Sequence, residues 1–107
     1  MNTEIHVLVT TFPDRDQAHA AAELLVAEDL AVCAQVGADL VSFYRWRGEV
    51  QRDDEVQVTL KVRRDRLSAC ADRLRHGHPY EVPQILAWPA SYADSAYLAW
   101  AYGEDRQ

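Results

Sequence analysis

Val56-Gln57-Val58-Thr59-Leu60-Lys61-Val62-Arg63 alternates apolar and polar residues without a break. Side chains along a strand point to opposite faces with a period of two, so this stretch predicts a β-strand with one buried face. Immediately upstream, Leu40 to Trp46 is a second strand candidate that runs into Arg47-Gly48. Glycine there supplies the positive φ of a tight hairpin, so the two strands are expected to pair. Further back, Leu30-Ala31-Val32-Cys33-Ala34-Gln35-Val36 reads as a small-residue strand stopped at Gly37.

Ile5, Val7 and Val9 alternate with His6, Leu8 and Thr10, which predicts an N-terminal strand ending at Thr11-Phe12-Pro13. Asp14 is placed to cap a helix of about four turns carrying Ala18, Ala21, Ala22 and Leu25 and reaching about Asp29. Downstream, Leu67, Cys70, Ala71 and Leu74 mark a second amphipathic helix closed by Gly77 and Pro79. Ile85 to Ala90 forms a last strand, and Asp94 or Ser95 caps a short terminal helix bearing Leu98 and Trp100. The order is βαββαβ plus a C-terminal helix. It predicts a single α+β domain over residues 1–107, a ferredoxin-like split βαβ sandwich with two helices on one face and a long β2–β3 hairpin arm.

That arm makes a lone subunit improbable on size. Extended from Val50 to Val62, it spans about 43 Å at ~3.3 Å per residue, against a diameter of about 34 Å for a compact domain of this length. Its tip carries Phe43, Tyr44, Trp46 and Val50, which need a receiver. Asp53-Asp54-Glu55 is the one place where the arm is expected to bulge or break; the run is either a cation-attracting patch or, as such runs usually are, a solvated one. With Ile5, Val7, Val9, Val56, Val58, Leu60 and Val62 assigned to the helix side, Leu8, Thr10, Thr59 and Lys61 fall on the other, joined by one parity of Leu86 and Trp88. Such a mixed face is that of a subunit interface.

Acidic residues outnumber basic ones 17 to 11, a formal charge of −6, which argues against a nucleic-acid partner. No apolar run approaches the roughly 18 residues of a membrane span. Glu4 and His6 interrupt the N-terminal stretch, so no secretory signal is expected, and Cys33 and Cys70 lack CxxC spacing. A reducing cytoplasmic setting is the expectation.

His78-Pro79-Tyr80-Glu81-Val82-Pro83 is the block most suited to present a site. Each proline fixes its own φ and pushes the preceding residue out of the helical region, so the imidazole, phenol and carboxylate sit on stiff backbone. His76 and His78, with Cys33 as a thiolate, are candidate ligands for copper, zinc or another divalent metal. An HxH at a helix end is also the pattern of a solvated cation pair favoured by the dipole, and Cys33 among Ala and Val reads first as a small buried hydrophobe. Lys61, the only lysine, is either a polar-face residue or an ammonium near Glu81 or an anionic ligand. No GxSxG, HExxH or glycine-rich phosphate loop is present, so an enzyme is not expected.

Thr10-Thr11-Phe12-Pro13, Leu30-Ala31-Val32-Cys33, Tyr44-Arg45-Trp46-Arg47-Gly48, Lys61-Val62-Arg63 and the HPYEVP block together resemble the CutA family of divalent-cation tolerance proteins over essentially the whole chain. The resemblance implies a cytoplasmic, non-enzymatic subunit similar to PII signalling proteins, assembled as a homotrimer whose arms reach across to neighbours. It implies an association with copper or other divalent cations. It also implies an intersubunit cleft drawing on Cys33, Tyr44, Trp46, Lys61, His78, Tyr80 and Glu81. Two readings follow. One is a metal-binding tolerance protein using His78 with Cys33 or a nearby carboxylate. The other is a small-ligand sensor in which Lys61 neutralises an anion while Tyr44 and Trp46 line the pocket.

Overall fold

The computed structural model describes residues 4–103. Its elements are β1 (Ile5–Phe12), α1 (Arg15–Ala27), β2 (Cys33–Trp46), β3 (Glu49–Arg63), α2 (Leu67–Gly77), β4 (Leu86–Pro89) and α3 (Ser95–Ala101), with a 3₁₀ turn over Arg64–Arg66. The four strands form one antiparallel sheet in the order β2-β3-β1-β4. This is the expected ferredoxin-like α+β arrangement, with α1 and α2 on one face. Among the described residues no helix is long and apolar enough to cross a membrane.

The local chemistry accounts for the boundaries. Asp14 caps α1, its carboxylate accepting from the Gln17 backbone N–H at 2.9 Å. At the other end of α1, Asp29 turns with φ 58°, and the N–H groups of Leu30 and Ala31 both donate to the Leu25 carbonyl. Leu30 and Ala31 therefore finish the helix instead of starting a strand, and pairing begins at Val32, whose N–H donates to the Lys61 carbonyl. The two strand candidates on either side of Gly37 are one strand, β2, with an irregularity between Val36 and Asp39. A bulge adds a residue to one strand and bends it without ending the ladder. The arm is unbroken on β3: Asp53, Asp54 and Glu55 all pair, with Ser42, Val41 and Leu40. At its tip Arg47 and Gly48 both have positive φ (51° and 86°), the geometry whose twist matches that of the strands. The molecule measures 48 × 26 × 23 Å, and the arm accounts for its elongation.

One expected assignment is corrected. Leu8, Thr10 and Phe12 pair with Leu60, Val58 and Val56, and this set faces the helices with Leu25, Cys70 and Leu74 in the main core. Val7 and Val9 therefore lie on the opposite face, paired with Lys61 and Thr59 on one side and with Trp88 and Leu86 on the other. β1 is a central strand with apolar residues on both faces, so its alternation carries no signal of direction. The face away from α1 and α2 is more apolar than the sequence implied. α3 covers one end of it, packing Ala101 against Ile5 and Val32. Leu86 and Trp88 remain 57% and 47% exposed.

Candidate functional site

α2 stops at Gly77 because Pro79 holds His78 in an extended conformation, φ −77° and ψ 138°. The His78 ring stacks on Phe12, centroids 4.5 Å apart and planes at 17°. The Tyr80 backbone N–H donates to His78 Nδ1 at 3.2 Å, so the hydrogen of the neutral ring resides on Nε2 and is directed to Thr10 Oγ1 at 3.2 Å. Burial pushes the His78 pKa down, against weaker opposing effects of a Thr11 backbone bond and the Glu55 charge. Both ring nitrogens are thus occupied, Nε2 holding the loop to β1 and Nδ1 fixing the turn of the loop itself. His76, exposed two residues earlier, uses Nδ1 on the Asp72 carbonyl at 2.7 Å.

Past Pro79 the loop lays Tyr80 beside the arm. The Tyr80 hydroxyl donates to Glu55 Oε2 at 2.7 Å, and Thr11 Oγ1 donates to the same oxygen at 3.0 Å. One carboxylate so ties together β1, β3 and the double-proline loop. Two residues along the same face, Asp53 accepts from the Tyr44 hydroxyl. Burial, then the bond to Glu55, raises the Tyr80 phenol well above its ordinary value. The bond to Asp53 raises that of Tyr44. Both phenols therefore stay protonated donors.

Between arm and loop lies a cleft of about 600 Å³ whose walls include Thr11, Tyr44, Trp46, Glu55, Tyr80 and Glu81. At its mouth the Arg47 guanidinium sits 5.5 Å from the Trp46 ring centre and 3.8 Å from Glu81.

The candidate residues thus divide. Tyr44, Trp46, Tyr80 and Glu81 share this cleft, and His78 anchors its loop from the helix side. Cys33 and Lys61 are cross-strand partners elsewhere on the sheet, where Lys61 Nζ donates to Gln35 Oε1 at 2.7 Å. Cys33 packs at the α3 end, against the cluster of Ile5, Val32 and Ala101. Within one chain, His76, His78 and Cys33 do not converge, and among the described residues no group of three or more His, Cys, Asp or Glu is arranged to hold a metal. Thr11 and Glu55 line the cleft and Asp53 stands behind Tyr44; the sequence pattern assigns none of them to a defined site. Glu55 lies within an acidic run, and the only sequence signal is a carboxylate on the same strand parity as Lys61.

A ferredoxin-like α+β subunit with a projecting hairpin and a phenol- and carboxylate-lined cleft beside a double-proline loop is the class of protein defined so far. The chain belongs to the CutA1 divalent ion tolerance protein family, whose model matches residues 6–104. It is 35% identical over 99 residues to a divalent-cation tolerance protein CutA of Escherichia coli, covering 92% of this chain and 88% of that protein. Its fold is similar to that of the Cut A1 protein of Thermus thermophilus (TM-score 0.86, 35% identity, 90% and 93% of the two chains). It is also similar to CutA1 of Oryza sativa (TM-score 0.90, 29% identity, 99% of each chain). The family is named for tolerance of divalent ions, not for a catalysed reaction.

Proposed function

We propose that this chain is a non-enzymatic divalent-cation tolerance protein that works as a cytosolic homotrimer and binds copper or another divalent ion at a site completed by neighbouring subunits. The observation that carries the assembly is the pair of uncovered surfaces. Leu86 and Trp88 extend the apolar face begun by Val7 and Val9, and Phe43 and Val50 stand 67% and 66% exposed on the arm. A monomer rarely leaves that much apolar surface to water. The unpaired cysteines support a reducing compartment.

Because Cys33 and His78 lie apart in one chain, a metal site using both takes them from different subunits. For Nε2 to ligate the ion its hydrogen must move to Nδ1, so His78 would give up both its Thr10 contact and the bond from the Tyr80 N–H. Isothermal titration of copper into the wild type, His78→Ala and Cys33→Ser tests this, beside the solution mass. Loss of binding in both variants is expected; unchanged binding in both removes these residues from the metal site. The sensor reading keeps the cleft but not its charge. Lys61 is engaged with Gln35 and does not line the cleft of its own chain.

A further inference from the structure

The cleft between arm and loop has a chemistry of its own. Its walls contain the rings of Tyr44, Trp46 and Tyr80 and the carboxylates of Glu55 and Glu81, and no lysine or arginine is among the lining residues. Asp53, held by the Tyr44 hydroxyl, adds a third negative charge behind that ring. Aromatic faces carry negative potential and attract ammonium and guanidinium groups, most strongly when carboxylates stand nearby. The molecule already shows this pairing once: its own Arg47 guanidinium lies over Trp46 and faces Glu81. Past Arg47, an anion entering the same space would meet the carboxylates of Glu55 and Glu81 on the walls.

We propose that the cleft binds a small organic polycation, an alkyl di- or triammonium, with Trp46 and the two phenols as the aromatic walls and Glu55, Asp53 and Glu81 as the counter-charges. This rests on the reading of the cleft as a ligand site and names the ligand class. The volume of about 600 Å³ suits a chain of this kind. Asp53 and Glu55, two residues apart on one face of β3, are spaced by about 6.6 Å at ~3.3 Å per residue. That is close to the separation of successive amines on a short aliphatic chain. Arg47 is the resident competitor. It occupies the Trp46 face at the mouth and must swing out when the ligand enters.

Isothermal titration of spermidine at low ionic strength tests the proposal, with a neutral diol of similar length as the control. Saturable binding at one site per chain is expected for spermidine and none for the diol. Glu55→Gln and Glu81→Gln should each weaken binding by about two- to fivefold, and Trp46→Leu by a similar factor. Arg47→Asn keeps a residue that accepts positive φ and removes the competitor, so it should tighten binding. A merely structural role for these residues would not produce a gain. Absence of spermidine binding, or binding indifferent to all four variants, overturns the proposal. Copper titrated in parallel separates the two ideas: copper binding without spermidine binding overturns the polycation and leaves the tolerance reading standing. Spermidine binding that follows the variants, without any divalent ion bound, supports the polycation and removes the metal.

Discussion

At the scale of single residues, His78 shows how position recasts chemistry. In the sequence it is an exposed-looking ligand beside a proline; in the fold it is a clamp, stacked on Phe12 and bonded to Thr10 and Tyr80. Burial lowers its pKa, so the folded state favours the neutral ring. Its contribution to stability is therefore fully present above the ordinary histidine value of about 6.5 and is lost as pH falls through the depressed folded value. Urea unfolding across that range should show falling stability in the wild type and a flatter profile in His78→Phe. The phenylalanine keeps the stacking but leaves the Tyr80 N–H and the Thr10 hydroxyl without the ring nitrogens, at a cost of about 1–3 kcal/mol at neutral pH. Equal slopes in the two proteins would contradict the clamp. Burial also pushes the Cys70 thiol up to about 11, whereas Cys33 is only half-buried. A thiol reagent at neutral pH should label Cys33 first and Cys70 only on unfolding, as read by peptide mass spectrometry; labelling of both at one rate would contradict it. Asp14 as a cap and Gly48 as a turn residue were legible, because each acts on its immediate neighbours. Glu55 was not: its partners lie 44 and 25 residues away in the chain, so only the fold reveals its use.

At the scale of elements, local patterns read well where one face differs from the other. β3 reads cleanly because its core side is Val56, Val58, Leu60 and Val62 and its other side is polar. β1 defeats the same reading, since either parity looks apolar and the pairing with β3 makes the choice. Leu8→Ala should therefore cost about 2–5 kcal/mol, as for a fully buried leucine, measured by chemical denaturation. Val9→Ala, on the partly open face, should cost clearly less in a folded single chain. The reverse order would restore the original parity. The hairpin offers a cleaner test of backbone alone. A Cβ on Gly48 would meet nothing within 4 Å, yet φ is +86°. Gly48→Ala should thus destabilise the arm by about 1 kcal/mol through conformation only, seen as faster amide exchange at the tip. Unchanged exchange would mean the turn is not held in this form. Gly37 misled for a related reason: a glycine inside a strand marks a bend as readily as an end.

At the scale of the whole molecule, the sequence predicted an arm longer than its domain, and the structure extends to 48 Å along one axis. The arm's apolar residues and the face built from Val7, Val9, Leu86 and Trp88 are surfaces that a single chain leaves to water. Placing a glutamate at Trp88 should break the proposed trimer without touching the main core, from which Trp88 is absent. Sedimentation equilibrium across a wide concentration range is the most direct measurement of all. The proposed assembly predicts three times the 12.2 kDa mass of one chain, with dissociation in Trp88→Glu; a stable, folded species of one chain mass at every concentration would contradict it.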